Sequence, residues 1–464
     1  MRMNEGRLAA RRGTAYVAAI AFMTVLTAVA AAMVSMADME LQKSNNSRHA
    51  QQARMAAESG LDFLTLKMKA IYLPHETKKE SILSYLYPKL QYQLEGTGNL
   101  DSNTLTLTTG AIEIPTIVLP SGSFSSTITR GTGTDEGVWV RCTGRSGEVR
   151  RTVSVFFRTY IRRSHVFDYG VASRGKITVS GSGVVTGMND PGEGRMLSTR
   201  GSSPAIEVIG SGTVGGDLYV TGDSEDYIVL GSGAEVAGET DPTVIMDQNV
   251  HLDVEDPEFP VVDTSPFERF ATNVMDTGSD YRLGSYSNIR IKAGTDPKFS
   301  SDTVIRGVMY IEYPNKVRFS GSVQMEGVIV TEEPPLPDLS SNHIKFRGGF
   351  TAPGVSALPD TAEYDDLKNL GGTVILAPGF SLDFRGNAGT VNGVIAADQV
   401  EFSGSASVGG ELEGSILGLT DTELSIDGNS EIKINATQES LIPSGFKHPF
   451  GLEWDPNTYI EPID

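Results

Sequence analysis

Cysteine is almost missing. Cys142 stands alone in 464 residues, so no internal disulfide can staple the chain, and stability has to come from packing. Aromatic residues make up only 8% and proline 22 positions, against 51 glycines, a balance that disfavours helical bundles and favours turn-dense β structure. Positive charge is also short: 38 Lys and Arg face 58 Asp and Glu, for a formal net charge of −20. An acidic body argues against nucleic acid as a partner, because phosphate neutralisation needs clustered Lys and Arg. The six histidines (His49, His75, His165, His251, His343 and His448) form no HExxH or His-x-His grouping, which excludes the common zinc patterns. No GK[ST] follows any glycine-rich stretch and no nucleophile elbow is present, so the glycines read as architecture.

The charge that is present is unevenly placed. Residues 1–72 hold nine basic residues against five acids, a net of +4, which leaves −24 for the remainder. Between Arg12 and Asp38 there is no charge at all. As a helix, residues 14–36 extend about 35 Å, enough to cross a bilayer core. Four arginines precede the run and acids follow it, so the positive-inside rule puts residues 1–13 in the cytoplasm and the body outside the inner membrane, as a single-pass protein. A secretory signal peptide has the same polarity, and Ala30-Ala31-Ala32 offers small residues for its cleavage. Against that reading, helical character continues: Ala50, Ala53, Ala57, Leu61, Leu64, Met68 and Ile71 recur at spacings of three and four. One long helix over about 14–72 is expected.

A basic leader ending in Gly13, an uncharged helix and then AQQARMAAESGLDF (50–63) resemble the N-terminus of PilX-type minor pilins and type II secretion pseudopilins. The resemblance covers about residues 1–70. It implies cleavage by a prepilin peptidase after Gly13, leaving Thr14 first, and a helix used twice: as an anchor in membrane lipid, then packed against other pilins or pseudopilins on an inner-membrane assembly platform. The filament-packing residues it implies are Ala18, Ala50, Ala53, Ala57 and Leu61. Major pilins carry Glu where this chain has Ala18, so the resemblance implies an accessory or tip subunit.

Beyond the helix, Ile82, Leu86, Leu90 and Leu94 suggest a second helix, which Pro88 should kink or break. From residue 103 apolar and polar residues alternate, and VRCTGRSGEVRRTVSVFF reads as a hairpin turning at Arg145-Ser146-Gly147. The second half repeats itself. GSGVVTG (181–187), GSGTVGG (210–216) and GSGAEVAG (231–238) recur, and VRFSG (317–321), LDFRG (382–386) and VEFSG (400–404) share an apolar-x-Phe-[Ser/Arg]-Gly signature. Repeats at 18–29 residues predict a solenoid, here a parallel and right-handed β-helix, with residues such as Val328 and Phe402 pointing inward and Glu401 outward. The expected fold is mainly β with a long N-terminal helix. It comprises a leader (1–13), a transmembrane helix (14–36), a pilin-like helix and antiparallel sheet (37–163), a β-solenoid (164–440) with excursions near 255–290 and 332–370, and a C-terminal cap (441–464).

Catalysis would have to come from carboxylates. Asp253, Glu255, Asp256 and Glu258, Asp223, Glu225 and Asp226, and Glu363, Asp365 and Asp366 could hydrolyse a glycosidic bond or hold Ca²⁺, but none has the spacing of a known ion-binding loop. We therefore expect no catalytic, cofactor-binding or metal site. The expected protein is a non-enzymatic minor pilin or pseudopilin working in filament assembly, at the tip or in adhesion. The alternatives are an exported β-helix carbohydrate enzyme and a membrane-anchored envelope scaffold.

Overall fold

The computed structural model describes residues 5–94, 100, 104–133, 136–336, 338–386, 388–404, 407–435 and 442–462, without the side chains of 5–14, 388 and 407–413. It is mainly β with a long N-terminal helix, and it divides into two units. The first contains residues 1–160 and 450–464, the second residues 161–449.

In the first unit, helix α1 (Glu5–Lys69) runs unbroken for 65 residues. Helix α2 (Ile82–Leu94) buries Ile82, Leu83, Leu86, Leu90 and Leu94 on one face. It runs through Pro88 and does not end there, because the apolar stripe on both sides outweighs the one hydrogen bond proline removes. Strands β1 (Thr106–Leu107), β2 (Ala111–Leu119), β3 (Gly122–Arg130), β4 (Gly137–Ser146) and β5 (Val149–Ile161) pair antiparallel in chain order. The β4–β5 hairpin turns where the sequence suggests, with Ser146 opposite Val149 and Gly147 at φ 56°. Phe450–Trp454 then adds a sixth strand beside β5.

The second unit is built of parallel ladders. Strand 206–208 pairs with 177–179 on one side and 228–230 on the other, and 196–198 lies likewise between 171–173 and 218–220. Residues 171–187 and 196–214 contribute three short strands each, whereas in other tiers two of the three merge into strands of 9–12 residues such as 373–384, and the interior is filled by side chains in register. Phe299, Phe319, Phe346, Phe384 and Phe402 form a continuous stack with ring centroids 4.7, 5.2, 4.8 and 4.8 Å apart and planes within 15°. Phe319, Phe384 and Phe402 are the phenylalanines of the repeated signature. At a corner of the tiers Gly181, Gly210, Gly404 and Gly428 all adopt φ of 66–77°. A Cβ on Gly210 would come 2.9 Å from the Gly181 carbonyl and one on Gly428 2.6 Å from that of Gly404, so both conformation and space demand glycine there.

The tiers are not stacked in chain order. Residues 171–187 sit in the middle, between 196–214 and 416–434. One ladder visits, in space, strands 273–275, 289–291, 309–311, 329–331, 375–377, 395–397 and 416–418, then 171–173, 196–198, 218–220 and 250–251. The chain enters at the centre, winds to one end at 251, crosses to the far end at 273 and winds back. Ten strand spacings of ~4.8 Å make about 48 Å. The 21 crossing residues 252–272 can span about 70 Å when extended, so the return fits with slack.

Several expectations need correcting. The second unit does not follow the first but is inserted between β5 and Phe450–Trp454. The C-terminal segment, expected as a cap, instead pairs its backbone along β5, with Ser154 N donating to Ile460 O at 2.9 Å and Asp455 N to Phe156 O at 3.0 Å. Part of the 332–370 excursion also belongs to the ladders, since 343–346 pairs with 316–319 and 350–351 with 323–324. Likewise 273–275 and 285–291 rejoin them within the 255–290 excursion. Pro and Asp density hid short strands whose inward residues, Ile344, Phe346 and Phe350, carry the pattern.

Val328 is a further correction. It is fully buried, but on the outside of its ladder, with Val308, Tyr310, Val330, Leu376, Ala396 and Leu417. This outer surface is covered by Phe259, Phe267 and Ala271 of the crossing segment and by Val355, Leu358 and Leu367. The neighbouring Ile329 points into the ladder interior. A strand covered on both faces reads as a continuous apolar run, so hydrophobicity does not report direction there.

Phe402 is 1% exposed inside the stack, whereas its neighbour Glu401 is half-buried at the surface. Phe402→Ala is expected to cost about 3–5 kcal/mol and Glu401→Ala within about 0.5 kcal/mol in denaturant unfolding of the chain. Equal losses at the two positions would rule out the stacked interior.

Candidate functional site: the N-terminal helix and its docking sheet

The first unit's helix changes character along its length. Residues 15–48 are exposed throughout, and within this part lies a segment of mean hydropathy 2.4, long and apolar enough to cross a membrane. Tyr16, Val17, Ile20, Phe22, Met23, Val25, Leu26, Val29, Met33, Val34 and Met36 all show more than two fifths of their surface. Two threonines in this stretch are self-satisfied: Thr24 Oγ1 donates to the Ala21 carbonyl at 2.8 Å, and Thr27 bonds back to Met23. Such back-bonding lets threonine sit in an apolar helix surface without an orphan hydroxyl.

From Ala50 onward the same helix is committed to the chain's own sheet. Ala53 and Ala57 are fully buried, with Leu61 at 2% and Leu64 and Met68 at 0%. Close approach is made possible by small residues on both partners. A Cβ on Gly144 of β4 would lie 1.9 Å from the Ala53 carbonyl oxygen and 2.5 Å from the Ala57 nitrogen, and one on Gly60 would strike the Phe124 ring at 2.4 Å. Burial also sets the one thiol: Cys142, on the same strand as Gly144, is pushed up to about 12, beyond the range of a reactive thiolate.

A polar rim borders this packed seam. Ser146 Oγ donates to Gln52 Oε1 at 2.9 Å, so its oxygen is left to accept from His49 Nδ1 at 3.0 Å. Further along, Glu58 of the AAESGL segment accepts from Arg54 Nε at 3.0 Å and from the Tyr459 hydroxyl at 3.2 Å, and Arg54 also lies 3.6 Å from Glu461. Glu58 holds the Arg54 guanidinium above its ordinary value, chiefly through this hydrogen bond. The C-terminal residues are thereby tied to the helix that begins the unit. No sequence signal pointed to Tyr459 or Glu461, because the contact joins positions about 400 residues apart.

The expected site residues therefore separate. Ala53, Ala57 and Leu61 line the chain's own core, Ala50 is half-buried at its edge, and Ala18 lies on the exposed apolar part. Gly13 and Thr14 fall within the helix, their side chains and residues 1–4 of the leader being outside the described residues. The carboxylate clusters do not converge. Asp256 caps the Glu258 N–H at 3.0 Å, Glu363 accepts from Asn288 at 2.9 Å, and Asp366 faces Arg269 at 3.7 Å. Among the described residues no three His, Cys, Asp or Glu side chains gather as a metal site.

No protein-family model and no curated protein matches the sequence. Among solved structures, the chain is similar to the competence-associated pilin ComZ from Thermus thermophilus, at 12% identity over 90% of this chain and 98% of that one. The TM-score is 0.29.

Gly144→Ala should force the helix off the sheet and cost about 1–3 kcal/mol, because the atoms it meets are backbone. Gly110→Ala, which meets nothing within 4 Å, is the control and should stay within about 0.5 kcal/mol. Thermal unfolding of the two variants in detergent decides, and a neutral Gly144→Ala would mean the helix is not seated as described.

Proposed function

We propose that the chain is a membrane-inserted accessory subunit, a minor pilin or pseudopilin, of a type IV-like filament, and that its inserted unit is a parallel β-solenoid forming a large head. One observation carries the reading: a single unbroken helix is apolar and exposed over its first part, and locked by small residues onto the chain's own antiparallel sheet over its second. The exposed part can be covered by lipid before assembly and by neighbouring helices afterwards, since Ala, Val, Thr and Met surfaces pack closely in either setting. Ala53, Ala57 and Leu61 serve the chain's own antiparallel sheet, which leaves the filament-packing role to residues 15–48. The basic residues ahead of the apolar run favour a cytoplasmic N-terminus and an exported body.

Co-expression with a prepilin peptidase should yield a mature chain beginning at Thr14, and Gly13→Ala should retain the leader, as read by N-terminal mass spectrometry. A start between Ala31 and Ala37 would indicate signal peptidase and would sink the proposal. Ala18 offers no carboxylate to a neighbour's terminal amine, so the subunit should be scarce and lie at a filament end. Labelling at regular intervals along the shaft would contradict that placement.

A further inference from the structure

The outward positions of the ladder that stacks the phenylalanines carry an uneven charge. Between the inward Phe299, Val317, Phe319, Ile344 and Phe346, the outward side chains are Lys298, Lys316, Arg318, His343 and Lys345, with Arg347 just beyond. Strand register puts Lys298 opposite Arg318, Arg318 opposite Lys345, and Lys316 opposite His343. Lys298, Arg318 and Arg347 are exposed. Adjacent strands stand ~4.8 Å apart, and like charges directly opposite destabilise a sheet.

Few carboxylates on this face offset the repulsion, one being Asp296, which accepts from the Lys316 N–H at 2.8 Å. Lys345 reaches the buried Asp383 at 3.3 Å, but the same carboxylate is held by Arg385 at 3.0 Å. Among the described residues Lys298, Lys316, Arg318 and Arg347 make no ion pair. The local field registers on His343: burial first, then Lys345, Arg318 and Lys316, push its pKa down to about 4. In a chain with a net charge of −20, this cationic strip is the departure from the composition that most needs a counter-charge.

We propose that this face docks an acidic glycan, a linear polysaccharide bearing carboxylate or sulfate groups, laid across successive tiers along the ladder axis. The cations follow one another in single file at the tier spacing, which suits a single anionic chain. In the next two tiers the file of Lys298, Arg318 and Lys345 ends at Asp383 and Glu401, which confines the anionic chain to three tiers, while the file of Lys316 and His343 continues with Ser381 and Gln399, hydrogen-bonding groups that suit sugar hydroxyls. No Phe, Tyr or Trp points outward among these positions, so the face lacks the stacking platforms with which single-stranded nucleic acid is held. The proposal is independent of the filament reading.

The test uses the full chain in neutral detergent with size-fractionated heparin and polygalacturonate oligosaccharides as probes, neutral dextran as blank and DNA oligonucleotides of matched charge as rival. Saturable binding of the acidic oligosaccharides is expected, with a log–log salt slope of about −2 for three neutralised groups. Lys298→Ser/Arg318→Ser should weaken it at least tenfold while melting at the same or a higher temperature, because two mutually repelling cations are removed. Arg150→Glu, an exposed cation of the other unit, should leave binding unchanged. The proposal is overturned by no binding above dextran, by unchanged affinity in the double variant, by an equal loss in Arg150→Glu, or by DNA binding more tightly than the glycans.

Discussion

The insertion point constrains everything downstream of β5. That strand and Phe450–Trp454 are hydrogen-bonded neighbours in one sheet, so both ends of the intervening unit have to emerge about one strand spacing apart. A stack wound in simple chain order places its ends at opposite poles, tens of ångströms apart. Winding outward from the centre, crossing back and returning to the centre removes the conflict. The ends then meet: Arg162 N donates to Pro449 O at 2.9 Å, Phe167 packs edge-on to Phe446 with centroids 5.3 Å apart, and the Ser415 hydroxyl reaches the Phe167 carbonyl. Residues 416–434 hydrogen-bond to 171–187 as they would to any next tier, so the seam where the two windings join costs no pairing.

The crossing segment required by this order also builds a second hydrophobic layer. It lies along the outside of the ladder that includes 329–331 and 375–377, burying Val308, Val330 and Leu376 from without while Ile329 and Ile375 are buried from within. Two-sided burial explains why GVMYI, GVIVT and TVILA read as unbroken apolar runs. By contrast, the ladder of Phe319 and Phe346 has one face in water and keeps strict alternation, apolar inside and charged or polar outside. The same chain thus writes two different strand patterns according to how many layers cover each face.

That difference sets what was legible in the sequence. The Phe-[Ser/Arg]-Gly signature and the GSG corners could be read because each tier makes the same demand at the same place: a ring on a ring, and a glycine on a glycine where a Cβ has no room. The stripe Ala53, Ala57, Leu61, Leu64, Met68 could be read because helical period and burial coincide. The order of the tiers could not, since every tier presents nearly equivalent edges and periodicity is blind to which one pairs with which. Nor could the fate of the C-terminal segment: Trp454 and Tyr459 look like a cap in composition, and only pairing with β5 and Glu58 distinguishes the two uses. Of the site, the seam was legible and its partner was not, because small residues announce close packing without naming what is packed.

The exposed half of α1 sets an energy scale that the rest of the chain cannot match. Eleven large apolar side chains between Tyr16 and Met36 are 46–74% exposed. Burying a Val, Leu, Ile, Phe or Met side chain gains about 1.5–3 kcal/mol, so covering what these eleven expose is worth on the order of 10–20 kcal/mol. A folded domain is stable by only about 5–15 kcal/mol. The location of this helix therefore follows from what covers it and not from any interaction within the chain, which buries nothing of residues 15–48. The glycine and alanine seam between Ala53 and Gly144 takes on its importance in that light. It is the point at which a helix held by its surroundings transmits its position to the sheet, and close backbone packing makes that joint stiff.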